Sequence, residues 1–360
     1  MKMNGFVRTS SRWTPEGSVV CLALSVLAWT SWTWRCFVPI RSSCCPPLLD
    51  FPDHDLLWSD HVRCLPYTAR LQMKMNMYAM QSLLVMDGRS QASASTHHNC
   101  AIQADGELVC FGINVYGECD VPADLGPVVA VSAGDSHTCA VREDGGLVCF
   151  GANRYGECDV PADLGPVAAV SAGGYHTCAV RADGQLVCFG PNGHGQCAVP
   201  PRLGPVLTVS AGGYHTCAVK VNGQLVCFGG NGHGQCDVPA DLGPVLTAST
   251  GKCHTCAVRA GGQLVCFGDD EKGQSDVPLD LGPVVAVSAG EQHTCVVKAD
   301  GELFCFGLNM YGECDVPVDL GPVFTVSAGG HRTCAVRADG RYIGFPKTPL
   351  PVDLGPLIRV

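Results

Sequence analysis

Short apolar runs, cut every few residues by glycine, proline or aspartate, dominate this chain from residue 92 onward. Pro166–Ala172 reads as a first strand, A, His176–Arg181 as a second, B, and Gln185–Phe189 as a third, C. A short piece around Cys197–Val199 reads as a fourth strand, D. Both faces of these runs are apolar, which suits a sheet covered by a neighbour on either side. Between B and C, Ala182-Asp183-Gly184 has the chemistry of a type I turn closed by a left-handed glycine, so B and C form a tight hairpin. Glycine and proline recur too often for helices.

The pattern repeats. Shifted by 39 residues, Cys100, Cys139, Cys178, Cys217, Cys256, Cys295 and Cys334 fall into one column. Two residues earlier stand His98, His137, His176, His215, His254 and His293, with Arg332 in the seventh unit. Ten residues after the first column come Cys110, Cys149, Cys188, Cys227, Cys266 and Cys305. A fixed period of this length marks a propeller, solenoid or array. Seven four-stranded units with short loops predict an all-β fold, a seven-bladed β-propeller of 39-residue repeats spanning residues 92–360.

The tail is expected to close the ring. Gly355-Pro356-Leu357-Ile358-Arg359-Val360 matches Gly126-Pro127-Val128-Val129-Ala130-Val131, a strand A. The corresponding stretch of unit one, Gly88–Ser93, is polar and a poor strand. The last residues are therefore expected to pair into blade one and remove an exposed edge. In unit seven Tyr342-Ile343-Gly344-Phe345 replaces Leu-Val-Cys-Phe and the following segment is shorter, which predicts a thin or frayed last blade.

Gly173-Gly174-Tyr175-His176-Thr177, Asp183-Gly184-Gln185-Leu186, Phe189-Gly190, Asn192 and Gly195-Gln196 form a motif that recurs in every unit. It resembles the regulator of chromosome condensation repeat family. The compact period and the Val-Pro-Ala linker are most similar to the family's propeller-type β-lactamase inhibitor. The resemblance implies a seven-bladed propeller and a range of activities: guanine-nucleotide exchange, substrate recognition in HECT-type ubiquitin ligases, UV-B perception and enzyme inhibition. Trp13, Trp29, Trp32, Trp34 and Trp58 all precede the repeats, so the blades lack the tryptophans that a photoreceptor reading needs.

Charge narrows the partners. Net charge is -10 for the chain, and the first 91 residues hold 9 basic and 6 acidic residues, leaving 14 and 27 for residues 92–360. So acidic a body argues against a broad basic surface, and no nucleic acid partner is expected. No nucleophile elbow, P-loop or His-Glu-x-x-His motif occurs, and the reading is a non-enzyme without cofactor or metal.

Alternating strand direction puts loops A–B and C–D on one side of the disc, and loops B–C and D–A on the other. The first side varies between units and carries Tyr116, Tyr155, Tyr175, Tyr214 and Tyr311, five of the six tyrosines of the repeats. Arg154, His194, His233, Lys252 and Glu291 stand among them. Rigid aromatics on scaffolded loops suit protein binding, and these ten residues are the candidate partner surface. The function expected is a non-catalytic protein-binding scaffold or adaptor, monomeric, with a protein partner. The alternative is a nucleotide-exchange or ubiquitin-ligase-associated recognition role.

The six histidines read as structural, each bonding backbone at the entry to strand B, because positions spread round a ring seldom bring two to one ion. Across the hairpin Arg181 pairs with Gln185, so Cys178 faces Cys188. The pairs Cys100 and Cys110, Cys139 and Cys149, Cys178 and Cys188, Cys217 and Cys227, Cys256 and Cys266, and Cys295 and Cys305 have two readings. They are buried thiols acting as small apolar residues, or one disulfide per blade. The first is preferred, because the third column (Cys119, Cys158, Cys197, Cys236, Cys314) has no partner and Cys334 has lost its own. Cys253-His254-Thr255-Cys256 spells C-x-x-C, but on a strand those cysteines point to opposite faces.

Residues 1–91 read as an N-terminal extension, poorly ordered outside two segments. Residues 17–34 are uncharged, follow Lys2, Arg8 and Arg12, and read as a signal-anchor or uncleaved signal sequence. Residues 68–86 are methionine-rich and read as a helix. The alternative is that the protein starts at a later methionine. Membrane attachment, by a single-pass or secretory route, follows only if 17–34 serve as anchor. The family resemblance implies the cytoplasm.

Overall fold

The computed structural model describes residues 92–346 and 357. They form seven three-stranded antiparallel sheets, one per repeat, and no helix. In blade three, Val167–Ala172 pairs with Thr177–Arg181, which pairs with Leu186–Phe189. The hairpin has the expected register. Cys178 lies opposite Cys188, and Arg181 N–H donates to Gln185 O at 2.8 Å. Gly184 sits at φ +83°, which a side chain strongly disfavours.

The A strands are Ala92–Ala94, Val128–Ala133, Val167–Ala172, Val206–Ala211, Val245–Thr250, Val284–Ala289 and Val323–Ala328. Each contacts the next, and Val323–Ala328 contacts Ala92–Ala94. A serine column joins them. Ser132 Oγ accepts from Ala172 N–H, Ser171 from Ala211, and Ser249 from Ala289, all at 2.9 Å. Ser93, Ser210 and Ser288 accept from Ala133, Thr250 and Ala328 in the same way. Ser327 accepts from Ala94 at 2.9 Å, so the bond also joins blade seven to blade one.

The B strands are the most buried. All five residues of His98–Ile102 are inaccessible, and each seam between blades is apolar. Between blades three and four, Cys178, Val180, Leu203 and Val206 pack with Ala211 and Ala218. Burial on both faces explains why these runs show no polar alternation.

Two expectations are corrected, and the tail meets blade one at the single tail residue described. The D segment is not a strand, because its donors are spent on local turns: Val199 N–H bonds Cys197 O at 2.9 Å, and Leu203 N–H bonds Pro200 O at 3.0 Å. The C-terminal strand lies outside the described residues except at Leu357, which forms an antiparallel bridge with Gln103 of blade one. Blade one also forms a first strand of its own, Ala92–Ala94, in register with Asn99–Ala101, and Leu357 packs fully buried near Ala92 and Tyr342. Blade seven is not thin, since Tyr342–Phe345 pairs with Thr333–Arg337 and places Gly344 opposite Cys334. Residues 17–34, 68–86 and the rest of 1–91 lie outside the described residues. Among those described, no helix is long and apolar enough to cross a membrane.

Candidate protein-binding face

Hydrogen bonds between loops assign the two sides. In blades one, two, four, five and six the C–D loop starts by bonding its own A–B loop, as Ala152 N–H to Ser136 O and Gly230 N–H to Tyr214 O, both at 2.8 Å. On the opposite side, linkers bond B–C turns, as Val206 N–H to Gly184 O at 2.9 Å and Val221 N–H to Pro205 O at 3.2 Å.

Beneath the first side lies a clasp that crosses each of six seams. His98, His137, His176, His215, His254 and His293 place Nε2 2.6–2.9 Å from the hydroxyls of Thr138, Thr177, Thr216, Thr255, Thr294 and Thr333 in the next blade. Each threonine donates its one hydrogen to a C–D loop carbonyl at 2.8 Å, that of Glu118, Glu157, Gln196, Gln235, Gln274 or Glu313. The imidazole must therefore donate from Nε2 and is neutral. A second proton on Nδ1 of His176, His215, His254 or His293 meets no partner. Burial lowers the ring pKa to about 3 for His137 and His215 and about 4 for the other four. The histidines are structural, but their partner is a hydroxyl across the seam rather than backbone.

Close approach at the A–B loops requires glycine. A Cβ on Gly173 stands 2.5 Å from Gly212 O of the next blade and 2.8 Å from His176 Cε1. The residues whose backbone carbonyls accept the threonine also shape the displayed loops with their side chains. Buried Glu157 takes the Arg154 and Tyr155 N–H groups at 3.2 and 2.7 Å, and Gln196 Oε1 takes His194 N–H at 2.9 Å. These two loops thus have the cap inside and the ring outside, whereas in blade five the Gln274 cap takes Lys272 N–H and the loop has no aromatic.

The aromatics meet across the clasped seams. Tyr155 of blade two stacks edge-on with Tyr175 of blade three at 6.5 Å, and His194 with Tyr214 at 5.1 Å. Tyr311 meets His331 at 4.9 Å. Tyr116, Tyr155, Tyr175 and Tyr311 are 43–58% exposed, and Val115 and Met310 are more exposed still. Tyr116 has no aromatic opposite, because Ser136 holds that position.

The remaining arc is polar. Lys252 Nζ lies 3.3 Å from Glu291, and His233 Nδ1 4.0 Å from Asp269. At the axial mouth Thr96 Oγ1 donates to Asp135 at 2.9 Å, and burial raises the Asp135 carboxyl above its ordinary pKa. All ten predicted partner residues thus stand on A–B or C–D loops, in an aromatic arc and a charged one. Asp135, Asp269 and His331 escaped the sequence list. Their signal was membership of the same variable columns.

The cysteines depart from the preferred reading. All six cross-strand pairs are disulfides, with Cα atoms 4.1 Å apart. The bonded ends of the hairpin put the pairs at the closely spaced positions of the ladder, where two cysteines bridge without backbone movement. The third column remains thiol, and each sulfur donates to a loop carbonyl, as Cys197 to Pro191 O at 3.5 Å. Burial pushes these thiols up to about 11 or 12. Cys256 bonds Cys266, leaving Cys253 free. Among the described residues no three His, Cys, Asp or Glu side chains gather to hold a metal.

The regulator of chromosome condensation (RCC1) repeat model matches residues 128–157, 167–196, 206–235, 247–274 and 284–313. No curated protein matches the chain in sequence. Among solved structures, the ectodomain of the Physcomitrella patens receptor kinase CR4 is similar at 24% identity and TM-score 0.62, over 73% of this chain and 76% of that one. The CRINKLY WD40 ectodomain of the Arabidopsis thaliana receptor kinase ACR4 matches at 20% and 0.59, over 73% and 99%. Prp20p of Saccharomyces cerevisiae, studied for binding to Gsp1p and histones, matches at 16% and 0.58, over 73% and 83%. At these identities the likeness shows the fold. With five matched copies inside seven equivalent blades, the chain is a member of the regulator of chromosome condensation repeat family.

Proposed function

We propose that this propeller is a non-catalytic scaffold that binds a protein partner through its A–B and C–D loops. The observation that carries the reading is the set of ring pairs that bridge adjacent blades, Tyr155 with Tyr175, His194 with Tyr214 and Tyr311 with His331. Each pair sits above a His–Thr clasp, so the rings are placed by buried bonds and lose little freedom on binding. Solvated tyrosines flanked by Arg154, Lys252 and Glu291 combine apolar area with hydrogen-bonding tips.

The test is capture of interacting proteins on immobilised full-length chain, followed by mass spectrometry. The partner recovered by the native protein is expected to be lost with Tyr175→Ala plus Tyr214→Ala and kept with Asp183→Ala, which lies on the opposite face. Equal recovery by all three proteins overturns the face assignment.

A further inference from the structure

On the opposite face a groove lies between the linker of unit three and the following hairpin, and the charges around it differ from those at the matching positions of other units. At the residue before the Leu-Gly-Pro of the linker, five units carry Asp124, Asp163, Asp241, Asp280 and Asp319, whereas unit three carries Arg202 behind Pro201. In the hairpin that faces it, Asn222 stands where Asp105, Asp144, Asp183, Asp300 and Asp339 stand in five other turns and Gly261 in the sixth. Two carboxylates are thus removed and one cation is added at a single place on an otherwise acidic rim.

The ion pairs sharpen the difference. On this face Arg142 pairs with Asp144, Arg181 with Asp183, Arg259 with Asp241, Lys298 with Glu302, and Arg337 and Arg341 with Asp339. Lys220 has only the neutral Gln224 amide at 3.2 Å, and no ion pair involves Arg202 among the described residues. Both line a groove of about 480 Å³ whose walls are Pro200, Pro201, Leu203 and Val226. Val221 beside it is 63% exposed.

We infer that this groove, at the junction of blades three and four, is a second docking site, for an extended acidic segment of a partner protein. Two cations without carboxylate partners 18 residues apart in sequence, set on either side of an apolar trough, match a chain that alternates acidic and aliphatic side chains. The acidic units on the rest of this rim repel the same segment, so register along the rim is set by charge as well as by contact. The site is independent of the tyrosine-bearing loops and leaves them free.

The test is fluorescence anisotropy of the full chain with a fluorescein-labelled peptide of alternating glutamate and valine. Arg202→Asp with Asn222→Asp gives unit three and its neighbour the charges of the other units, whose folding the protein itself demonstrates. The double variant is expected to bind about 10-fold more weakly, and Lys220→Gln about 3-fold more weakly, with melting temperatures kept. Tyr175→Ala plus Tyr214→Ala is expected to leave peptide affinity unchanged, which separates this site from the tyrosine face. Unchanged affinity in the double variant overturns the inference. So does absence of binding by the native chain at about 1 mM peptide, the weak limit for a recognition segment. Displacement of the peptide by polyuridylate at equal charge concentration overturns the choice of a protein segment.

Discussion

Six seams between blades are alike, and the seventh is not. In the six, a neutral imidazole and a loop carbonyl hold one threonine hydroxyl of the next blade. Where blade seven meets blade one, Arg332 takes the histidine position and Asn99 the threonine position. Asn99 is fully buried, yet its Nδ2 has no partner, and neither has Arg332 Nη1. Cys334, without a cysteine across its hairpin, bonds Asn99 Oδ1 and the Tyr342 hydroxyl instead. Phe111 and Tyr342 fill the space with an edge-on contact at 5.7 Å. The serine bond between A strands survives there, but the clasp between B strands does not. An unpaired buried donor costs about 1–3 kcal/mol, so the seam where the ends meet is the weakest.

The comparison breaks most severely on reduction. Each disulfide joins residues 10 apart and stabilises by about 2–3 kcal/mol, and six blades hold one while blade seven holds none. Urea titration with and without a thiol reductant under unfolding conditions is expected to show a loss larger than the stability of many domains.

Acid comes next. The folded rings titrate at about 3–4 against 6.5 in the unfolded chain, so between those values only the unfolded state takes up protons. Stability is complete above pH 6.5 and falls as pH drops toward 4, by about 1.4 kcal/mol per histidine per pH unit. Circular dichroism against pH is expected to show cooperative unfolding before pH 4. Native signal retained at pH 3 contradicts the neutral clasp.

Single substitutions sharpen it. Thr216→Val strands the His176 donor and the Gln196 carbonyl and is expected to cost about 2–4 kcal/mol, read as a shifted urea midpoint. Asn99→Leu at the irregular seam removes an amide whose nitrogen is unpaired and whose oxygen takes only the weak Cys334 thiol donor, and is expected to cost less than about 1 kcal/mol. Smallest is Cys197→Ser, expected within about 0.5 kcal/mol. Unit five already places Ser275 in that column, donating to Asp269 O at 2.9 Å.

Much of this was readable in the sequence, and the failures share a cause. The repeat, the Asp-Gly hairpin and its register are set by neighbours within one unit, so Cys178 could be placed opposite Cys188 from spacing. The loop sides followed from strand direction alone. What escaped depends on the next blade or on backbone donors. His176 bonds Thr216, which is one residue more than a full period away, so a column-by-column comparison leaves the two unconnected. The Cys197–Val199 piece looks like a strand because it is apolar, but its N–H groups serve local turns. The cysteine reading went astray by treating the unpaired third column as evidence about the first two. Those thiols are held by carbonyls of their own loops and say nothing about the hairpin pairs.

The most direct measurement of unequal seams is native-state hydrogen exchange of the amides bonded to the serine column. The account predicts that Ala94, held by Ser327, exchanges through a low-energy opening of blades one and seven, while Ala172 and Ala211 exchange only with global unfolding. Exchange of all three amides with one common free energy contradicts it.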